Sequence, residues 1–83
     1  MVTEQLAACV NLCPGVTSIY RWQGEVESAE EVLAVFKTNR SCYPALQQAL
    51  EQQHPYEVAE IVAVEVAEGS PQYLQWLSGQ LRS

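Results

Sequence analysis

The 83 residues leave room for one small domain, 1–83, and 48% of them are hydrophobic, which excludes a disordered segment. Ten acidic residues against four basic ones give a net charge of −6, the wrong sign for tracking a phosphate backbone, so nucleic acid is not an expected partner. No apolar run approaches the ~18 residues of a membrane span, and no basic segment followed by an apolar core opens the chain as a secretory signal would. A core this small is marginal alone, and oligomerisation or a metal is a common supplement. Three cysteines, an odd number without a secretory signal, point to reduced thiols in a cytosol.

Residues 3–8 are good helix formers and read as the last turns of a helix that has no beginning. From Cys9 the chain is apolar and continuous, breaks once at Pro14-Gly15, and then alternates to Glu25, with Ser18, Tyr20 and Trp22 on one side and Thr17, Ile19, Arg21, Gln23 and Glu25 on the other. That period of two, with β-branched and aromatic residues, predicts a long strand. Pro14-Gly15 predicts a bulge inside it, because proline cannot donate to a ladder and glycine tolerates unusual dihedrals. A turn is expected over residues 27–30. The five-residue apolar run inside 31–38 then predicts a central strand covered on both faces. Ser41 is the expected cap of a helix reaching Gln53, with Tyr43, Leu46 and Leu50 as its buried stripe. Pro55 disfavours helical dihedrals at His54 and ends it. Residues 60–66 read as a further strand. Ser70-Pro71 opens a last helix with a stripe of Leu74, Leu77 and Leu81.

This order is a split β-α-β unit without its first strand, an α+β, ferredoxin-like arrangement with a long hairpin and a C-terminal helix. Leu6-Ala7-Ala8-Cys9-Val10-Asn11, the run from Pro14 to Glu25, Lys37-Thr38, His54-Pro55-Tyr56-Glu57, Pro71 and Tyr73-Leu74-Gln75-Trp76-Leu77 together resemble the CutA family, the divalent-cation-tolerance proteins. The resemblance covers essentially the whole chain. It implies a ferredoxin-like fold, a homotrimer built through the hairpin, a cytoplasmic location, a response to divalent metals, copper especially, and no established catalysis. The family's proposed metal site uses the histidine and glutamate matching His54 and Glu60. The chain departs from the family in two places. The short first strand and most of the first helix are absent, together with the cysteine ligand that follows that strand. Ala59 also stands where a proline is usual. The absent strand would lie between the strands predicted at 32–38 and 61–66. Either these close up by about 4.8 Å and pair, or a gap persists. The gap is the expectation, because interdigitated helix packing resists such a shift, and with it a natural start upstream of Met1.

His54 is the only histidine. With Glu57 and Glu60 it offers an imidazole and two carboxylates, a donor set suited to Cu²⁺ or Zn²⁺ at modest affinity. The alternative is that His54 caps its own helix or hydrogen-bonds across a subunit contact. Cys9 and Cys13, spaced C-x3-C, carry little weight as a metal pair without further Cys or His nearby; Cys9 reads as a buried small hydrophobe and Cys13, beside the Pro-Gly break, as the more exposed. Cys42 and His54 lie at opposite ends of one helix, about 18 Å apart at 1.5 Å per residue, and cannot act as nucleophile and base within one chain. Tyr20, Trp22 and Trp76 are expected to pack at subunit interfaces. The expectation is therefore a homotrimer that responds to divalent cations, with no organic cofactor, no nucleic acid, no membrane and no enzymatic activity. The alternative is a trimeric signalling or scaffold protein that binds a small ligand or a protein in its inter-subunit clefts.

Overall fold

The structure, a computed structural model, describes residues 1–53 and 60–82. Among these, strand β1 (Cys9–Trp22) and strand β2 (Glu25–Lys37) form a two-stranded antiparallel sheet, followed by helix α1 (Tyr43–Gln53) and helix α2 (Pro71–Gly79). The hairpin gives the molecule its long axis, 45 Å against 26 and 20 Å.

The expected turn at 27–30 is wrong. β1 ends at Trp22, and the chain reverses over Gln23 and Gly24, both at positive φ (52° and 85°). Two left-handed residues make a type I′ turn, whose twist matches that of the flanking strands. Register follows from it: Trp22 faces Glu25, Tyr20 faces Glu27 and Ser18 faces Ala29. Glu25 therefore shares the face of Trp22 instead of opposing it, since paired residues project to one side. Thr17 Oγ1 donates to Glu30 Oε1 across the ladder at 2.7 Å.

The bulge lies where Pro14-Gly15 placed it. Cys13 faces Leu33 and Val16 faces Glu31, so two residues of β1 oppose the single Val32. Gly15 sits at φ +77°, and a Cβ there would meet nothing within 4 Å. Only the dihedral opposes a side chain. Gly15→Ala is therefore expected to cost about 1–2 kcal/mol, the penalty of a left-handed alanine, seen as a lower urea midpoint with an unchanged slope.

Residues 1–6 form no helix, but they close as one does. Gln5 N–H donates to Val2 O, Leu6 N–H donates to Met1 O, both at 3.0 Å, and Gln5 sits at φ 63°. This pair of bonds around a left-handed residue is the Schellman closure of a helix C-terminus. The Met1 ammonium donates to Glu4 Oε1 at 2.7 Å; together with Glu4's own backbone hydrogen bond, it holds that carboxyl below its usual range.

At the other end of β2 the cap is Asn39, not Ser41. Asn39 Oδ1 accepts from Cys42 N–H at 2.8 Å, and Asn39 O accepts from Tyr43 N–H. An amide oxygen three residues ahead of the N–H meets the first-turn donors directly. Ser70 does sit at the cap of α2, yet its hydroxyl makes no cap bond; its carbonyl accepts from Leu74 N–H.

The core is small and lies at the base of the hairpin. Leu6, Ala8, Cys42, Leu46 and Leu81 are buried together, with Met1, Phe36, Ala45, Leu50 and Leu77 packed around them. Tyr43 and Leu50 are half-buried, so the predicted stripe of α1 holds with Leu46 at its centre. On α2 the stripe is weaker: Leu74 is exposed and Leu77 half-buried, and Leu81 reaches the core from beyond the helix end. Thr38 Oγ1 donates to Leu6 O at 2.7 Å and Ala8 N–H to Lys37 O at 2.7 Å, fastening the first residues to the end of β2.

Two strand expectations need correction. Residues 60–66 have no regular secondary structure, and Val62, Val64 and Val66 are exposed. Residues 32–36 do form part of a strand, but an exposed one, with Val32 and Leu33 more than half exposed. Residues 60–66 lack a ladder partner among the described residues, and propensity does not supply one; residues 32–36 have one in β1 but nothing beyond it to cover them. The position between them is open, as a cavity of about 1630 Å³ lined on one side by residues 31–38 and on the other by residues 60–66. The two segments have not closed up, in line with the expected gap.

Candidate functional site

The open trough and the helix beside it collect most of the chemistry in the described residues. β2 supplies one wall because, among the described residues, its outer edge has no neighbour in the sheet. Residues 60–66 supply the other, and the Arg40 guanidinium pairs with Glu65 there. Both partners are highly exposed, so the pair adds little to stability. Among the described residues, Glu27, Glu30, Glu31, Glu60, Glu65 and Glu68 line the trough with Lys37, and Arg40 pairs with Glu65 at its margin.

Lys37 and α2 form a contact that the sequence does not announce. Lys37 Nζ lies 5.8 Å from the centre of the Tyr73 ring, and Tyr73 and Trp76 lie 5.8 Å apart at an interplanar angle of 33°. A cation within ~6 Å of an aromatic face is attracted by its quadrupole. Spacing on α2 signals the Tyr73–Trp76 pair, three residues apart on one helix. Nothing local signals Lys37, which comes from the end of a strand.

Of the three sequence-predicted metal ligands, Glu60 alone falls among the described residues. Glu60 is exposed at the margin of the trough. His54 and Glu57 lie outside the described residues. Among the described residues no three histidine, cysteine, aspartate or glutamate side chains are grouped to hold a metal. The thiols do not form a site either. Cys9 is half-buried and Cys13 exposed, both free; Cys42 is buried and free. The Cys42 Sγ–H donates to Arg82 O at 3.1 Å, a structural contact that ties α1 to the end of the chain. Tyr20 and Trp22 line the trough from the hairpin; both are exposed, as is Trp76 beside Tyr73. No helix of the described residues is long and apolar enough to cross a membrane.

The chain is similar to known proteins in sequence and in backbone. The family model described as CutA1 divalent ion tolerance protein matches residues 1–80. The "Divalent-cation tolerance protein CutA" of Thermus thermophilus is 53% identical over 77 residues, which are 93% of this chain and 75% of that protein. The mouse "Protein CutA" is 51% identical over 77 residues, again 93% of this chain but 44% of its own length. Thus the chain spans less than half of that longer relative. The solved structure of the divalent cation tolerance protein from Thermus thermophilus superposes with a TM-score of 0.93 at 51% identity, covering 98% of this chain and 79% of that one. The structure of a "PII-like protein CutA" from Nostoc gives a TM-score of 0.90 at 38% identity, covering 98% of this chain and 79% of that one. The fold is accordingly the ferredoxin-like α+β arrangement that the element order implies. The relatives' names describe tolerance of divalent cations and no reaction. With a match through residues 1–80 and relatives above half identical, the chain belongs to the CutA1 divalent ion tolerance protein family.

Proposed function

We propose that this chain, as one domain, is the subunit of a homotrimer that binds divalent cations and acts in the response to them, copper in particular. The observation that carries the assembly is the hairpin. An isolated two-stranded hairpin is marginal in water, yet this one projects from a small core with Leu12, Ile19 and Val26 about two-thirds exposed or more and Tyr20 and Trp22 at 40% and 43%. Apolar exposure on both faces of the hairpin marks surfaces that other chains cover. Three free cysteines agree with a reducing compartment, and the reading places the protein in the cytoplasm.

The metal reading rests on the family and on donor chemistry. His54, Glu57 and Glu60 are the proposed ligands of Cu²⁺ or Zn²⁺, and Glu60 is exposed and free to turn toward a neighbour. Without a thiolate in the set, weak binding is expected. Titration calorimetry on wild type and His54→Ala tests it. The variant is expected to lose at least tenfold in affinity. Wild-type binding is also expected to weaken as pH falls through the ordinary imidazole range near ~6.5, because only the neutral ring ligates. Equal affinity in both proteins rejects His54 as a ligand. Cys13 is exposed and can take copper on its own, so the comparison is made in a Cys13→Ser background.

A second reading is a signalling or scaffold trimer that binds a small ligand or a protein between subunits. The ledge of Lys37, Tyr73 and Trp76 favours it, since a cation beside two exposed aromatic rings suits a planar anionic ligand. The two readings separate on one measurement: a metal site loses binding with His54→Ala, whereas the ledge loses it with Tyr73→Ala.

A further inference from the structure

We propose that the ledge of Lys37, Tyr73 and Trp76 binds a small aromatic carboxylate, a planar ring that carries one negative charge. The inference rests on the second reading above, a trimer that takes a small ligand between subunits, and gives that ligand a class. Lys37 supplies the charge. It ends β2, is half-buried, and makes no ion pair among the described residues, in a chain where ten acidic residues face four basic ones. Its Nζ lies 5.8 Å from the centre of the Tyr73 ring, close to the ~6 Å limit of a cation–π contact. The ring thus steadies the ammonium and leaves its N–H donors open to a carboxylate. Trp76 supplies the flat surface. It stands about one helical turn from Tyr73 on α2 and is 48% exposed. It is not among the residues that line the trough, so its free face does not depend on what the trough holds.

Distance and charge narrow the ligand. The Tyr73 and Trp76 rings are tilted by 33°, so a flat ligand cannot lie parallel to both. Stacked on Trp76, it meets Tyr73 at an angle, an arrangement that aromatic pairs also favour. Lys37 Nζ and the Trp76 ring each lie 5.8 Å from the Tyr73 centre, so they are no more than twice that distance apart. One ring with its carboxylate attached directly spans such a gap, with a hydrogen bond of about 2.8 Å to Nζ at one end and a ring separation of about 4.5 Å or more at the other. An inorganic anion reaches Lys37 but makes no use of Trp76. A polyphosphate brings several negative charges to one lysine, on a chain of net charge −6 and beside the glutamates of the trough, and is repelled.

The probe is 2-naphthoate, titrated at neutral pH. Calorimetry reads its affinity, and the indole N–H resonances of the two tryptophans read its place. Saturable binding is expected, with a shift of the Trp76 resonance and none of Trp22. Cyclohexanecarboxylate, of equal charge but without an aromatic ring, and inorganic phosphate are each expected to bind at least about tenfold more weakly. Lys37→Gln is expected to weaken naphthoate binding roughly tenfold, and Lys37→Arg, which keeps a charged donor for the carboxylate, to restore it. The resonance arm uses the unaltered protein and does not depend on a variant folding. Equal binding by cyclohexanecarboxylate overturns the proposal, because charge alone then accounts for it. So does naphthoate binding that leaves the Trp76 resonance in place. A nucleoside triphosphate that binds more tightly than naphthoate, and is lost with Tyr73→Ala, overturns the single-charge class and leaves the small-ligand reading standing. Ledge variants that leave the binding of every probe unchanged overturn both.

Discussion

Leu46→Ala is expected to lower the unfolding free energy by about 2–5 kcal/mol, the range for removing a buried leucine with partial collapse of the cavity. Leu46 is 2% exposed, the largest fully buried side chain, and touches the cluster formed by Leu6, Ala8, Cys42 and Leu81. These side chains come from the first residues, α1 and the last residues of the chain. One cavity at their centre therefore loosens all three segments together. Small domains hold a net stability of only about 5–15 kcal/mol, so the loss is a large share of the whole. Urea unfolding followed by far-ultraviolet circular dichroism measures it, at one fixed protein concentration because assembly adds to apparent stability. Val64→Ala is the control: Val64 is 88% exposed, and its truncation is expected to change stability by less than about 0.5 kcal/mol. A Leu46→Ala loss as small as that of Val64→Ala would place the stabilising core elsewhere.

Trp22→Ala is expected to weaken the trimer by about 2–4 kcal/mol, the range for an aromatic anchor at an interface. Trp22 ends β1 immediately before the turn, far along the hairpin from the core, and is 43% exposed. Within one subunit it is only partly covered, so truncation costs the isolated chain less than it costs the assembly. Between subunits the same ring brings a large apolar area into contact. Sedimentation velocity over a dilution series separates the two. Wild type is expected to stay trimeric at micromolar concentration, and the variant to dissociate at concentrations about 5–30 times higher, the square root of the change in a trimer's dissociation constant. A wild type that sediments as a folded monomer at micromolar concentration rejects the assembly itself. A variant with unchanged dissociation moves the interface away from the hairpin tip.

Elements held by local rules are legible in the chain. The alternation from Val16 to Trp22 names a strand, and Pro14-Gly15 names a bulge, because both follow from dihedrals and side-chain direction within a few residues. The turn is harder to place because Gln23-Gly24 lacks the asparagine or aspartate that usually marks a type I′ turn. Ser41 draws the expected cap away from Asn39, two residues earlier, because both can cap and the backbone path decides which oxygen reaches Cys42 N–H. Residues 60–66 carry a strand's pattern without its ladder, since a partner is a non-local fact. The site divides in the same way. The glutamates are visible as acids, but their shared outlook on one trough is not, and neither is Lys37 over Tyr73, because each needs segments distant in sequence to meet.

Arg82 N–H donates to Gln5 O at 3.0 Å, and Cys42 Sγ–H donates to Arg82 O, so nearly the whole chain is enclosed in one loop. Loop-closure entropy grows as (3/2)RT ln n, which for residues 5 and 82 is about 4 kcal/mol before any constant. The short hairpin closes on a far smaller loop and forms in microseconds. The contact between the chain ends is thus the most entropically demanding in the structure, and it is also the one that completes the core around Cys42 and Leu81. A circular permutant that joins residue 82 to residue 1 by a short linker and opens at Gln23-Gly24 would make that contact local. It would transfer the closure cost to the hairpin and reverse the order in which sheet and core assemble.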